Sequence, residues 1–164
     1  MIYELVEAND SSLITKAERF DFSNPPTDPV QLAKDLTETM IHYKGFGLAA
    51  NQCGLPYSCF VMHSNPIICC FNPRIVDQAT EIIKMVEGCL TFPGMFLNIK
   101  RPRTIKVRYT QPNGETLTKE FDGMTARVYQ HELDHLNGVI FTSLVTKLEL
   151  DIAKRKARKM LKKK

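Results

Sequence analysis

The chain has 164 residues, 43% of them hydrophobic and 24% charged, and carries a formal net charge of +4. These values are ordinary for a soluble globular protein, and the length predicts one domain that can bury a core. No apolar run approaches the roughly 20 residues that a membrane-spanning helix needs, which excludes such a helix. The first residues, MIYELVEANDSS, have no apolar core before a cleavage site and predict no signal peptide. We therefore expect a cytoplasmic protein.

The first predicted element is a helix that begins near Pro29. Asp28 is placed to be its N-cap, Pro29 occupies the first turn, and Gln31 completes a predicted capping box. Apolar side chains then recur at helical spacing at Leu32, Leu36, Met40 and Tyr43. Gly45 is the predicted stop of this helix.

Several short strands are predicted in the middle of the chain. Residues 57–62, 67–71 and 81–87 are short apolar runs that contain β-branched or aromatic residues. Further along, Ile105, Val107 and Tyr109 alternate with polar neighbours. The dipeptide Asn113-Gly114 follows and predicts a hairpin turn before a strand with Leu117 and Phe121.

The pattern becomes helical again from about Gly123 through the sequence QHELDH and ends at Asn137-Gly138. A last helix is predicted from about Leu148 toward the carboxyl end. The order of elements predicts an α+β fold, with mixed or antiparallel sheets packed around the central HELDH helix and with N-terminal and C-terminal helices.

The central helix carries a pattern that is typical of metallohydrolases. His131 and His135 are four residues apart, so both imidazoles face the same way and could hold one metal ion. Glu132 lies one residue round the helix, where it could reach a water molecule at the metal. The alternative is a solvent-facing helix that carries two histidines and two acids without a metal.

A catalytic metal site needs a third protein ligand and an open position. After His135 the chain has no histidine, and its acids are Glu149 and Asp151 in a basic segment. The best candidate lies upstream, where Cys89 follows a glycine in the sequence EGCLT. The five cysteines are an odd number without a secretion signal, so we expect mostly reduced thiols. Cys89 could equally be a buried core thiol.

A third feature is the sequence GFGLAANQ, residues 45–52. Its two glycines, Gly45 and Gly47, would let backbone approach another group closely, and Gln52 ends the run with a side-chain amide. The alternative is a tight turn between a helix and a strand. The run lacks the third glycine of a dinucleotide-binding loop.

Taken together and in this order, GFGLAANQ, EGCLT and QHELDHLNG resemble the three motifs of the peptide deformylase family, G-x-G-x-A-A-x-Q, E-G-C-L-S and H-E-x-D-H. The predicted helix before the first motif and the predicted hairpin before the third fit as well. The resemblance spans most of residues 1–145, which it identifies as a catalytic domain.

The resemblance implies the metal ligands and the cofactor. The motif cysteine and the two motif histidines correspond to Cys89, His131 and His135, which would bind one divalent metal ion. The family usually works with Fe²⁺, and Zn²⁺ or Ni²⁺ can occupy the same ligands. Sulfur and imidazole suit zinc as well as iron, so the ligand set does not select the metal.

The resemblance also implies the reaction, which is removal of the formyl group from N-formylmethionine of nascent peptides with release of formate. Glu132 would take a proton from the attacking water and pass it to the leaving amine. The Gln52 amide and the backbone N–H of Leu90 would stabilise the oxyanion. Gly45 and Gly47 would let the peptide lie along nearby backbone.

A methionine side chain needs an apolar slot, and Phe46, Val128 and Tyr129 are its candidate walls by their position near the motifs. Each of the three could instead be an ordinary core residue. Glu87 would orient the metal site or contact the substrate, and a purely structural role is the alternative.

Two positions depart from the family pattern. Thr91 stands where serine is usual, which keeps the hydroxyl group. Phe96 stands about where many bacterial members have an arginine that contacts the peptide. This second change affects the expected affinity for peptide backbone but not the expected hydrolytic residues.

The positive charge belongs to the carboxyl end. Residues 147–164 hold nine lysines and arginines against Glu149 and Asp151, a net charge of +7 that leaves −3 for the rest. We assign residues 146–164 to a basic C-terminal helix of the same domain. In the family such a helix can dock on the ribosome, and the alternatives are a solvated helix or nonspecific contact with nucleic acid or a membrane surface. We expect no DNA partner and no membrane span. The expected location is the cytosol of a bacterium or of a virus-infected bacterial cell, and an organelle is the alternative.

Three other functions compete with this interpretation. A general HExxH metalloprotease would cleave internal peptide bonds. A thiol hydrolase would use Cys89 as nucleophile with His131 or His135 as base. A structural metal site would stabilise a basic RNA-binding module without catalysis.

Overall fold

A computed structural model of the protein describes residues 1–163. The helices are α1 (Pro29–His42), α2 (Gly123–Leu136) and α3 (Lys147–Lys162). The strands are β1 (Gly47–Ala49), β2 (Cys59–Met62), β3 (Ile68–Gln78), β4 (Ile82–Cys89), β5 (Phe92–Pro102), β6 (Thr104–Thr110) and β7 (Thr116–Asp122). Short 3₁₀ turns lie at Ser11–Ile14, Ala50–Cys53 and Phe141–Leu144. None of the helices described here combines the length and the apolar composition that crossing a bilayer requires.

The strands form two sheets. One has five strands in the order β1-β2-β3-β6-β7, and the other is the β4–β5 pair. Neighbouring strands are antiparallel in both sheets. The predicted α+β class, with antiparallel sheets and terminal helices, is confirmed.

Strand β2 separates two parts of the core. Cys59 and Val61 point into a cluster with residues of α1, whereas Phe60 and Met62 point into a cluster with residues of α2. Side chains of a strand alternate between the two faces of a sheet, so α1 and α2 cover opposite faces. All four residues of this strand are buried, which explains why its sequence is a continuous apolar run.

Helix α3 packs on the two-stranded sheet. Ala153 and Ala157 are its buried residues, and they belong to a third cluster with Met95, Leu97 and Ile99 of β5. Thr146 caps the helix, because its hydroxyl accepts from Glu149 N while the Glu149 carboxylate accepts from Thr146 N. The basic side chains of α3 stay on its exposed side.

The predicted cap of α1 is confirmed in part. The Asp28 carboxylate accepts hydrogen bonds from Val30 N and Gln31 N. The capping box is wrong, because the Gln31 side chain donates to Asp35 instead of reaching back. Gly45 is also not the left-handed stop that we expected. The helix ends at His42 and the residue with positive φ is Lys44, at 59°.

The predicted strands at 57–62, 67–71 and 81–87 correspond to β2, β3 and β4, although β3 continues to Gln78. The predicted hairpin is confirmed as the turn between β6 and β7, where Gly114 has φ 88°. The long strand β5 has no counterpart among the predicted elements.

Candidate active site

The three ligand atoms of the predicted metal site lie close together. Cys89 ends β4, and His131 and His135 lie one turn apart on α2. The Cys89 Sγ lies 3.3 Å from His135 Nε2, which lies 3.2 Å from His131 Nε2. All three donor atoms are within 4.8 Å of one another. One thiol and two imidazoles at this spacing can bind a single divalent ion.

His131 is held by Glu87 of β4. Its Nδ1 lies 2.8 Å from Glu87 Oε1, which leaves Nε2 directed at Cys89 and His135. A carboxylate on the second ring nitrogen fixes the tautomer and the orientation of a ligating histidine. Among the roles that we considered for Glu87, its contacts support orientation of the metal site.

Two arginines hold the Glu87 carboxylate in turn. Arg101 Nε and Nη2 donate to it over 2.7 and 2.9 Å, and Arg127 Nη1 donates over 2.8 Å. Burial opposes ionisation of Glu87, but hydrogen bonds from His131 and Arg101 outweigh it and lower its pKa to about 2. Arg101 also donates to Asp134 of α2. The network therefore ties α2 to the β4–β5 sheet behind the ligands.

The pKa values of the two histidines are shifted in opposite directions. Burial, helped by the neighbouring His131 charge, lowers the pKa of His135 to about 3, so this imidazole is neutral. Burial also disfavours the charged form of His131, but hydrogen bonds with Cys89 and Glu87 raise its pKa to about 10. A metal ion competes with protons for such ring nitrogens, so its binding to His131 would release one.

Glu132 lies beside the ligands with a free carboxylate oxygen. Burial raises its pKa to about 7. Its Oε2 is buried and has no hydrogen-bond partner among the described residues. A carboxyl group with a pKa near neutrality can both accept and return a proton.

Gln52 lies in the 3₁₀ turn after β1 and its amide is fixed at both ends. Its Oε1 accepts from Ala49 N over 2.9 Å, and its Nε2 donates to the Thr91 hydroxyl over 3.0 Å. The same Nε2 lies 3.6 Å from Cys89 Sγ. The Thr91 hydroxyl therefore orients the Gln52 donor toward the ligands, a role that a serine hydroxyl at this position could also fill.

A cavity of about 510 Å³ opens over these groups. The predicted site residues that line it are Gly45, Phe46, Gly47, Gln52, Glu87, Cys89, Leu90, Val128, His131 and Glu132. A Cβ atom at Gly45 would lie 2.6 Å from Leu90 Cδ1 and 3.0 Å from the Gly47 carbonyl oxygen, so a larger residue there would displace the Leu90 side chain. Leu90 itself lies in the tight turn that joins β4 to β5.

Tyr129 was wrongly predicted as a cavity wall. Its ring is fully buried against Phe60 and Phe121 on the other side of α2, and its hydroxyl donates to the Arg74 carbonyl. Tyr129 precedes His131 by two residues, which places it on the opposite face of the helix. Val128 precedes His131 by three residues and therefore shares its face.

The prediction missed several residues of the site. Arg101 and Arg127 hold Glu87, and Val86, Phe92 and Met124 line the cavity. The buried arginines gave no local signal, since their partner is 14 or 40 residues away in the sequence.

Comparison with known proteins points to one family. A model of the family described as polypeptide deformylase matches residues 2–151. The peptide deformylase of Prochlorococcus marinus is 39% identical over 153 residues, which cover 89% of this chain and 75% of that protein. The peptide deformylase of Wolbachia pipientis is 37% identical over an alignment of 172 positions, which covers 95% of this chain and 94% of that protein.

Solved structures agree with this result. The crystal structure of a peptide deformylase from Synechococcus elongatus in complex with actinonin superposes with a TM-score of 0.87 at 34% identity. The match covers 94% of this chain and 86% of that one.

Proposed function

Since this chain belongs to the polypeptide deformylase family, it is an enzyme that removes the formyl group from nascent peptides, and we propose that Cys89, His131 and His135 bind its divalent metal ion. The observation that carries the proposal is the convergence of these three donor atoms within 4.8 Å. The Glu87 carboxylate on His131 supports it, because ligating histidines characteristically have such a partner.

We propose Fe²⁺ as the native ion, with Zn²⁺ or Ni²⁺ able to occupy the same ligands in a purified sample. When bound, the ion supplies a Lewis acid that polarises the formyl group and lowers the pKa of a water molecule. One thiolate and two neutral imidazoles are acceptable to all three metals. Metal analysis and activity of anaerobically purified protein, reloaded with each ion in turn, test the assignment.

Glu132 is proposed to move the proton. Its carboxyl group faces the cavity next to His131, and its raised pKa of about 7 suits transfer in both directions. It takes a proton from the attacking water and delivers it to the amine of methionine as the C–N bond to the formyl group breaks. The peptide then leaves with a free amino terminus, and the formyl group leaves as formate.

Gln52 and Leu90 are proposed to stabilise the negative charge that develops on the formyl oxygen. The Gln52 amide is aimed by Ala49 and Thr91 before substrate arrives, so it need not reorganise during the reaction. The backbone N–H of Leu90 belongs to the turn directly after Cys89.

The cavity is proposed to hold the methionine side chain and the start of the peptide. Val128 and Phe46 supply apolar walls, and Gly45 and Gly47 line the same cavity, where their missing side chains leave room for Leu90 and Glu132. Glu87 lines the same cavity, but its two oxygens already accept bonds from Arg101, Arg127 and His131, so we assign it to positioning.

We also propose that residues 1–145 form the catalytic domain and that α3 belongs to this domain. The protein is proposed to work in the bacterial cytosol, where α3 docks on the ribosome. Packing of Ala153 and Ala157 on β5 supports the shared domain. Exposed lysines and arginines of α3 suit phosphate groups of RNA. A solvated helix without a partner is the alternative.

Charge reversal tests the docking better than truncation, because truncation would expose the cluster under Ala153. A Lys154→Glu and Arg158→Glu variant should lose salt-dependent pelleting with ribosomes. The matched control reverses two exposed lysines of β6 and β7, Lys106→Glu and Lys119→Glu. Pelleting that is insensitive to salt, or equal in both variants, contradicts docking.

One observation also suits a second mechanism. The contact of 3.3 Å between Cys89 Sγ and His135 Nε2 is the spacing that a thiol nucleophile and its base would need. Chelation separates the two mechanisms, since it abolishes a metal enzyme and leaves a thiol hydrolase active. The deformylase further predicts formate release from formylmethionyl peptides and no cleavage of internal peptide bonds, which a general metalloprotease would cleave.

A further inference from the structure

Four large apolar side chains are exposed around the mouth of the cavity, and we refer to them as the apolar rim. They are Phe46, Val86, Phe96 and Met124, with 70%, 57%, 55% and 53% of their surface exposed. All four line the cavity. Exposed apolar groups that gather at one site, instead of being scattered singly, mark a binding surface.

Two members of the rim, Val86 and Phe96, lie on one face of the β4–β5 sheet, which also carries Asn98. Val86 is opposite Asn98 and Gly88 is opposite Phe96, so Val86 and Phe96 are diagonal neighbours on one face. Gly88 has no side chain, and a Cβ atom there would lie 3.0 Å from the Phe96 ring. The ring therefore lies over backbone next to Cys89 and extends outward from the metal ligands.

Most charged side chains that line the cavity are buried and lie away from the exposed rim. Glu87 and Arg127 are buried and bonded to each other, and Glu132 is buried beside the ligands. Lys44 is the exposed charged residue among those that line the cavity. The mouth of the cavity therefore offers apolar contact through the rim and one positive charge from Lys44.

We propose that the apolar rim selects nascent peptides whose second and third residues are apolar, an inference that rests on the proposed function. The methionine is joined to the rest of the peptide, so the following residues must leave through the mouth and pass the rim. Apolar side chains lose water-exposed area there together with Phe96 and Val86, which favours their binding. Phe96 and Val86 are therefore specificity-determining residues for the deformylation reaction.

The test compares kcat/KM for formate release from formyl-Met-Leu-Phe-amide, formyl-Met-Ser-Ser-amide and formyl-Met-Asp-Asp-amide. The unmodified enzyme should prefer the Leu-Phe peptide over the Ser-Ser peptide by about tenfold or more. The Phe96→Ser variant should reduce this ratio severalfold, and so should Val86→Ser. A preference for the Asp-Asp peptide, or an unchanged ratio in both variants, overturns the inference.

Ile82→Ser is the matched control, because Ile82 is a similarly exposed apolar residue of β4 that lies outside the cavity. It should leave the ratio unchanged. A Phe96→Leu variant keeps an apolar side chain and should retain most of the preference. This result would show that the loss in Phe96→Ser comes from polarity and not from a structural disturbance at position 96.

A binding measurement separates this inference from the proposed reaction. Calorimetry with the products Met-Leu-Phe-amide and Met-Ser-Ser-amide should show about a tenfold difference in Kd that Phe96→Ser removes. If this difference is found but no peptide releases formate, the rim is supported and the proposed function fails. If formate is released and both products bind equally, the proposed function stands and the rim is overturned.

Discussion

Gly47 lies directly against the carboxyl group of Glu132. A Cβ atom at position 47 would lie 2.7 Å from Glu132 Cδ and closer still to its Oε1. No side chain fits at this separation without moving the carboxyl group. The second glycine of GFGLAANQ is therefore required by Glu132, the residue proposed to transfer the proton, which lies in a different motif 85 residues further along the chain.

Replacement of this glycine should displace Glu132 while leaving the ligands in place. We expect Gly47→Ala to lower kcat by about 100-fold, the scale of a misplaced general base, with metal content unchanged. Formate release and metal per chain are the measurements. Gly114→Ala is the control, because Gly114 lies outside the cavity at φ 88°, where alanine should cost about 1 kcal/mol or more of stability without lowering kcat. Full activity of Gly47→Ala would contradict the close packing.

Removal of the Glu87 charge should damage both stability and metal affinity. Glu87→Gln leaves Arg101 and Arg127 buried without their carboxylate, which costs about 3–5 kcal/mol. Loss of the partner of His131 should weaken metal binding about 10–100-fold. Denaturant unfolding and competitive metal titration measure the two effects. The control is Glu81→Gln, which breaks an exposed pair with Arg103 and should change neither quantity measurably.

Acid should remove the same stabilisation from the metal-free protein. The pKa of Glu87 is lower when folded, at about 2, than its ordinary value of 4.5. Its contribution is therefore complete above pH 4.5 and is lost as the pH falls toward 2. The difference in free energy of unfolding between the unmodified protein and Glu87→Gln should shrink over this range. A difference that stays constant with pH would contradict the ion pairs.

The Thr91 hydroxyl should be needed to aim Gln52. Thr91→Val preserves the shape but removes the acceptor of the Gln52 amide, so we expect kcat to fall about tenfold or more with little change in KM. Thr91→Ser keeps the hydroxyl and should restore activity. Steady-state kinetics on one formylmethionyl peptide decide the matter, and equal losses in both variants would show that the methyl group matters instead.

The sequence predicted most of the motif residues that the fold brings together at the candidate site. The spacing of His131 and His135 places them on one helical face, and because no histidine follows His135, Cys89 is the best upstream candidate for a third ligand. Helical geometry would also have excluded Tyr129, since about 100° per residue places it on the far side from His131.

The parts that could not be predicted depend on contacts between distant segments. Arg101 and Arg127 meet Glu87 only after β5 and α2 have packed on β4. Strand β5 was missed because Pro93-Gly94 interrupts its start, although Met95, Leu97 and Ile99 alternate as buried residues and could have revealed it. The apolar rim also needs the fold, because its members come from separate segments between residues 46 and 124.

We propose that Glu132 transfers the proton at a metal site formed by Cys89, His131 and His135. The most direct test measures formate release from a formylmethionyl peptide and metal per chain for the unmodified protein and Glu132→Ala. We predict about one metal ion per chain in both proteins and a loss of turnover of about 100-fold or more in the variant. Undiminished formate release by Glu132→Ala, or by protein stripped of metal with a chelator, would contradict the account.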